Sequence, residues 1–169
     1  MKITPKFQIT NVDNKFARGK AVFSPVKLRK MRKQDNITTI IDLRNSMSFD
    51  KILERIFCSL TGIKYINCKY KHRLNVIPEK NFFDKINEII LNNPERTYVH
   101  CQNGKRRTGI VAAYYEKVHL NEPDETIIDN LIKQGYSDVF EPSASKRLRR
   151  YAEIFDDFCK TYLGNKTVQ

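Results

Sequence analysis

No stretch of this 169-residue chain is apolar for the ~20 residues that a bilayer crossing needs, so a transmembrane helix is excluded. The N-terminus carries Lys2 and Lys6 but no apolar core behind them, which argues against a secretory signal and for a reducing cytoplasm. The four cysteines, Cys58, Cys68, Cys101 and Cys159, form no C-x-x-C pair. That spacing argues against a structural zinc site and a disulfide framework, and favours each cysteine as a buried small residue or a nucleophile. Repeats, low-complexity tracts and long linkers are missing too, and the length suits one domain, residues 1–169 with a core of about 18–163. Acidic residues are few: 19 Asp and Glu face 31 Lys and Arg, a formal charge of +12. Such an excess attracts nucleic acid, anionic membrane or phosphorylated small molecules, although a basic surface without a specific partner has the same composition.

With 40% apolar and 30% charged residues, the chain has an ordinary globular composition. Ala21 to Phe23 reads as a short strand. Ser24-Pro25 then reads as a helix start, cap followed by proline, for a helix to Gln34. The β-branched run Thr38 to Leu43 predicts a buried parallel strand, and Lys64 to Cys68 a second. Pro78 to Asn92 predicts an amphipathic helix with Phe82, Phe83, Ile86, Ile89 and Ile90 on one face. Thr97 to His100 is a third strand that runs into Cys101. Helices follow from Thr108 to His119, from after Pro123 to a C-cap at Gly135, and from Ser145 to Leu163. Strands alternating with helices predict an α/β fold, a central mostly parallel sheet flanked by helices.

The segment that carries chemistry is His100-Cys101-Gln102-Asn103-Gly104-Lys105-Arg106-Arg107-Thr108-Gly109. It lies between a predicted strand and a predicted helix. A loop entering a helix N-terminus gathers backbone N–H groups into one concavity that suits a phosphate-sized anion. This assigns phosphate binding to Gln102, Asn103, Gly104, Lys105, Arg106 and Arg107, with Gly104 permitting the tight turn. Arg107 adds a planar fork for two phosphate oxygens. Cys101 sits at the base, where the same dipoles favour a thiolate that can attack phosphorus in line and form a phosphocysteine. His100 orients the loop, and Thr108 can donate to the sulfur as it leaves. A thiolate nucleophile requires no metal and no cofactor. The plain alternative, a core cysteine at a strand end, leaves Gly104, Arg107, Thr108 and Gly109 in register unexplained.

This segment resembles the signature of the cysteine-dependent tyrosine and dual-specificity phosphatases, H-C-x-x-G-x-x-R-S/T-G. Thr38 to Arg44, Gly62 to Ile66, Tyr98 to Ala113 and Ile132 to Tyr136 resemble the compact bacterial-type and atypical dual-specificity members. The resemblance implies their α/β fold and a phosphorylated substrate: a phosphoprotein, an inositol phosphate or a phosphoinositide. Low-molecular-weight tyrosine phosphatases carry the cysteine near the N-terminus, and the longer tyrosine phosphatases carry a Trp-Pro-Asp loop; this chain has no Trp.

One family feature is missing. The resemblance implies an aspartic general acid some thirty residues before the cysteine, yet no Asp lies between Asp50 and Asp84. His72 and Glu79 are the candidates in that region. An imidazole titrates near 6.5, which suits a proton donor, but His72 also reads as an exposed loop residue and Glu79 as part of the next helix's first turn. Without a strong acid, a phenolate or phosphate leaving group is favoured over a serine alkoxide. Lys69, Lys71, His72, Arg73, Lys105 and Arg106 suggest a substrate with several phosphates, although any phosphoester would be attracted. An RNA 5′-triphosphatase is an alternative within the superfamily. Its usual loop, H-C-x-H-G-x-N-R-T-G, has residues that Asn103 and Arg106 replace here. A phosphate-binding pseudophosphatase is another alternative, against which stand both Cys101 and Arg107. Asp42 and Arg44 read as structural. Cys58 or Cys68 pairing with Cys101 under oxidation competes with plain core packing.

Overall fold

The computed structural model describes residues 9–70, 77–140 and 145–164. Five strands form one sheet: β1 (Thr10–Asn11), β2 (Phe16–Lys20), β3 (Ile37–Asp42), β4 (Lys64–Asn67) and β5 (Arg96–Cys101). Their order is β1-β2-β5-β3-β4, parallel throughout except for the antiparallel edge strand β1. Among the described residues six α-helices accompany them: α1 (Pro25–Gln34), α2 (Phe49–Leu60), α3 (Lys80–Asn92), α4 (Arg106–Tyr115), α5 (Asp124–Leu131) and α6 (Lys146–Tyr162). The predicted α/β class with a mostly parallel sheet is therefore the observed one.

Successive strand residues enter opposite layers, as a pleated strand requires. Ala17, Ile40 and Tyr98 join Leu28 and Met31 of α1 and Cys58 of α2 on one face. Phe16, Ile41 and Val99 join Phe83, Ile110, Ile127 and Phe158 of the other helices on the opposite face. Cys101 and Cys68 belong to that second layer and Cys58 to the first, so the sheet separates Cys58 from Cys101.

Several expectations are corrected. Ala21 to Phe23 is not a strand. The strand lies earlier, at Phe16–Lys20, and the chain leaves it after the Ala21 N–H donates to Cys101 O, 3.0 Å, on its way to the Ser24 cap. That cap accepts from Lys27 N, with Pro25 in the first turn, as expected. The sequence reading assigns no element to 49–60, where α2 forms. α4 begins earlier, at Arg106, and π-helical turns extend α4 over Glu116–Leu120 and α5 over Ile132–Tyr136. Gly135 is not a left-handed C-cap, for its backbone is extended. It is small because a Cβ there would lie 2.9 Å from Lys105 Cβ.

Candidate active site

The carboxyl ends of the four parallel strands share one end of the sheet, where ligands bind in open α/β folds. β5 delivers Cys101 there, and a four-residue bend over 102–105 leads into α4. Among the described residues no side chain caps the N-terminus of α4, so its first-turn N–H groups stay available to an anion. Cys101 is buried at the foot of this turn, and Gln102, Asn103 and Lys105 are exposed above it.

Gly104 has φ +68°, and a Cβ there would meet Gly19 C at 2.2 Å, Gly19 O at 2.4 Å and Lys20 N at 2.5 Å. The bend is pressed against the β2 backbone, and only glycine meets both conditions. At Gly109 a Cβ would find Leu131 Cδ2 at 3.2 Å and Arg18 Nη1 at 3.4 Å, so α4 is closely packed from below.

Arg107 is half-buried, and its Nη1 donates to Leu43 O at 3.3 Å, which fixes the side chain against the end of β3. Arg106 points elsewhere: its Nη2 bonds both Asp138 carboxylate oxygens at 2.9 and 2.8 Å, and its guanidinium lies 4.3 Å from the Tyr151 ring centroid. Of Arg106, the backbone amide remains for a ligand in the loop. Thr108 is fully buried, and among the described residues its Oγ1 has no hydrogen-bond partner.

His100 is fully buried behind the loop. Its Nδ1 lies 3.3 Å from Cys101 O, and its Nε2 3.3 Å from Glu54 Oε1 without a well-directed hydrogen bond. Burial lowers its pKa to about 4 against the pull of Asp42, so the ring is neutral at pH 7. Asp42 and Arg44 are buried and paired with each other. Arg44 donates to Asp42 through Nε and Nη2, both at 2.9 Å, and also to Glu54 Oε2. Tyr65 donates its hydroxyl to Asp42 as well. Burial raises the Glu54 pKa to about 7, opposed by the Val22 N–H that Oε1 accepts at 2.8 Å and by Arg44. Burial pushes Asp42 up, but the Arg44 and Tyr65 hydrogen bonds and the electrostatic pull of His100 together outweigh this and hold it below the usual range. Donor atoms of Asp42, Glu54 and His100 come within 4.8 Å of one another, the spacing of a metal site. The Arg44 guanidinium already occupies oxygens of both carboxylates, so its positive charge stands where a metal ion would and the trio does not fit an additional cation.

Two residues near the loop escaped the sequence reading. Glu54 sits on the unassigned helix α2. Arg18 is buried on β2; burial lowers its pKa, and the charges of Glu116 and Cys101 oppose that. An isolated Arg in an uncertain N-terminal stretch gave no signal. The pattern Phe49, Ile52, Ile56, Leu60 could have revealed α2.

His72, the candidate acid, lies outside the described residues, as do Lys71 and Arg73. Glu79 is the exposed residue preceding the first turn of α3. Asp84, the next aspartate along the chain, accepts from Lys80 Nζ and the Tyr114 hydroxyl, each at 2.7 Å.

The family model described as the tyrosine phosphatase family matches residues 14–133. No curated protein sequence matches. Among solved structures, the core catalytic domain of the PP-IP phosphatase SIW14 from S. cerevisiae, in complex with citrate, is 24% identical with a TM-score of 0.65, covering 92% of this chain and 88% of that one. P. aeruginosa TpbA, in a variant form in complex with pTyr, is 10% identical with a TM-score of 0.63, covering 98% and 96%. PTPMT1 is 18% identical with a TM-score of 0.61, covering 94% and 100%. At these identities the neighbours establish a shared fold.

Proposed function

This chain belongs to the tyrosine phosphatase family, and on that premise we propose that it hydrolyses phosphate monoesters through a phosphocysteine, as one phosphatase domain. The observation that carries the reading is Cys101 at the foot of an uncapped helix N-terminus, with Arg107 of the first turn anchored beside it. The Cys101 thiolate attacks phosphorus, the Sγ–P bond forms and the P–O bond to the leaving group breaks. The loop amides from Gln102 to Arg107 and the Arg107 fork hold the equatorial oxygens as charge develops on them. The leaving oxygen takes a proton, for which His72 is the candidate donor. Water then attacks phosphorus, the Sγ–P bond breaks and inorganic phosphate leaves. The unpartnered Thr108 hydroxyl is available to the departing sulfur. His100 supports the loop from behind. No step calls on a metal ion.

With Asp84 engaged by Lys80 and Tyr114, the case for a weakly basic leaving group stands. Phosphotyrosine-type esters and inositol polyphosphates or pyrophosphates are the substrates we favour. One neighbour is named for PP-IP and another holds pTyr, which supports this choice. The RNA triphosphatase alternative gains no support from these neighbours. Among the described residues no helix is long and apolar enough to cross a membrane. The four unpaired cysteines suit the reducing cytoplasm in which we place the enzyme.

The test is phosphate release, with chelator present, from phosphotyrosine peptide, phosphoserine peptide, inositol pyrophosphate, phosphoinositide and 5′-triphosphate RNA. We expect release from the aryl ester or the anhydride, abolished in Cys101→Ser. Phosphoserine hydrolysed as fast as phosphotyrosine would overturn the leaving-group argument. If wild-type protein binds phosphate but releases none from any substrate, the binding-module alternative takes its place.

A further inference from the structure

α1 and α2 form the layer on one face of the sheet, and α2 buries two charged side chains while leaving large apolar ones exposed. Lys51, Glu54 and Cys58, spaced i, i+3, i+7, face the sheet and are buried. Phe49, Ile52, Ile56 and Leu60 recur on the opposite side and are 72, 46, 47 and 70% exposed. An amphipathic helix normally turns its apolar stripe inward. Here Lys51 and Glu54 are committed to the interior. Lys51 Nζ donates to Arg44 O at 3.0 Å and to Asn67 Oδ1 at 2.8 Å, and Glu54 holds Val22 N and Arg44. The apolar stripe is thereby left outward. Beside it runs a surface groove of about 610 Å³ lined by Met47, Ile52 and Ile56, with Lys51 and Arg55 among them.

The neighbouring helix supplies charge of one sign. α1 carries Lys27, Arg29, Lys30, Arg32 and Lys33 and no acidic residue. Leu28 and Met31 take its inner face, so Arg29, Lys30 and Lys33 stand exposed. An apolar stripe beside a row of cations is the pattern of a helix pair that lies on an anionic lipid surface. A second copy would oppose two such basic surfaces, each on a chain of charge +12, and like charges at close range disfavour it.

We propose that the α1–α2 face docks on anionic membranes, the α2 stripe entering the headgroup boundary and the α1 cations meeting the lipid phosphates and carboxylates. Both helices start just after the carboxyl ends of β2 and β3, the end of the sheet that carries Cys101.

The experiment is co-sedimentation of the full chain with phosphatidylcholine vesicles, with and without phosphatidylserine. It compares wild type, Phe49→Ser with Ile52→Ser, and Lys30→Glu with Lys33→Glu. None of these residues belongs to the phosphate loop, and hydrolysis of a soluble aryl phosphate reports on fold and chemistry separately. Expected are wild-type binding only to the anionic vesicles, weakening at high salt, and a loss of about ten-fold or more in each variant at unchanged aryl phosphate turnover. Wild-type protein that stays in the supernatant, or an apolar-face variant that binds as wild type does, overturns the proposal. A wild-type dimer that the apolar-face variant dissociates overturns it in favour of a second copy. Loss of aryl phosphate turnover in wild type itself strikes the proposed function and leaves the vesicle result to judge the docking face.

Discussion

At Gly104 a methyl group has no place to go, because the atoms it meets belong to the Gly19–Lys20 backbone of a central strand and cannot rotate aside. Gly62 offers an internal control: its φ is +70°, yet nothing lies within 4 Å of the Cβ position. Gly62→Ala should cost only the left-handed strain, about 1 kcal/mol, and leave turnover intact. Gly104→Ala should add a clash worth about 1–3 kcal/mol or move the loop off its amides, with turnover falling by a factor of ten or more. Denaturation midpoints and kcat for the two variants check this, and equal effects would mean that the contact with β2 is unimportant. The residues of this loop were legible because each letter had a chemical reason. What the letters could not reveal was which side chains are already engaged. Arg106 and Arg107 are neighbours of the same type, but Asp138 and Tyr151 hold one and Leu43 O steers the other.

Between elements, the C-terminal rungs of β3, β4 and β5 are joined below the loop by buried charge. Asp42 pairs in register with both His100 and Asn67, and α2 adds Glu54 and Lys51 from the side. The His100 pKa, held at about 4 by burial, lies below the ordinary 6.5. Its contribution to stability is therefore fully present above pH 6.5 and is lost as pH falls through 4, when the folded protein must charge a buried ring. The stability gap between wild type and His100→Asn should narrow between pH 6.5 and 4, by about 3 kcal/mol at most. Urea midpoints across that range test it, and a gap constant with pH would show that the ring's environment has no part. The strands β3 and β5 were legible from their β-branched and apolar runs. β2 was not, because a strand reading Phe-Ala-Arg-Gly-Lys, with a buried arginine, has the composition of a loop.

Over the whole molecule, an excess of twelve positive charges acts at a distance that single contacts do not. A substrate with several phosphates should be drawn in faster than a monoester, and salt should weaken that attraction. Raising ionic strength from about 0.05 to 0.5 M shortens the screening length several-fold. kcat/KM for an inositol polyphosphate should fall more steeply than for an aryl monophosphate, while kcat stays level. Parallel salt dependences for the two substrates would remove the case for steering.

The sequence by itself determined the fold class, the strand–loop–helix that holds Cys101 and Arg107, and the family, because local spacing and residue chemistry carry that information. Only the tertiary structure decided which charges are buried. Asp42, Glu54 and His100 come from three elements and Arg44 from the segment after β3, and they meet because parallel pairing aligns the strand ends and α2 lies across them. The same meeting turned α2 over. Lys51 finds Arg44 O and Asn67 inside and Glu54 finds Val22 N and Arg44, partners that offset the desolvation of their charges, and the apolar stripe is left facing outward. Periodicity along one segment registers an amphipathic helix; which of its faces turns inward depends on what the neighbouring elements offer it.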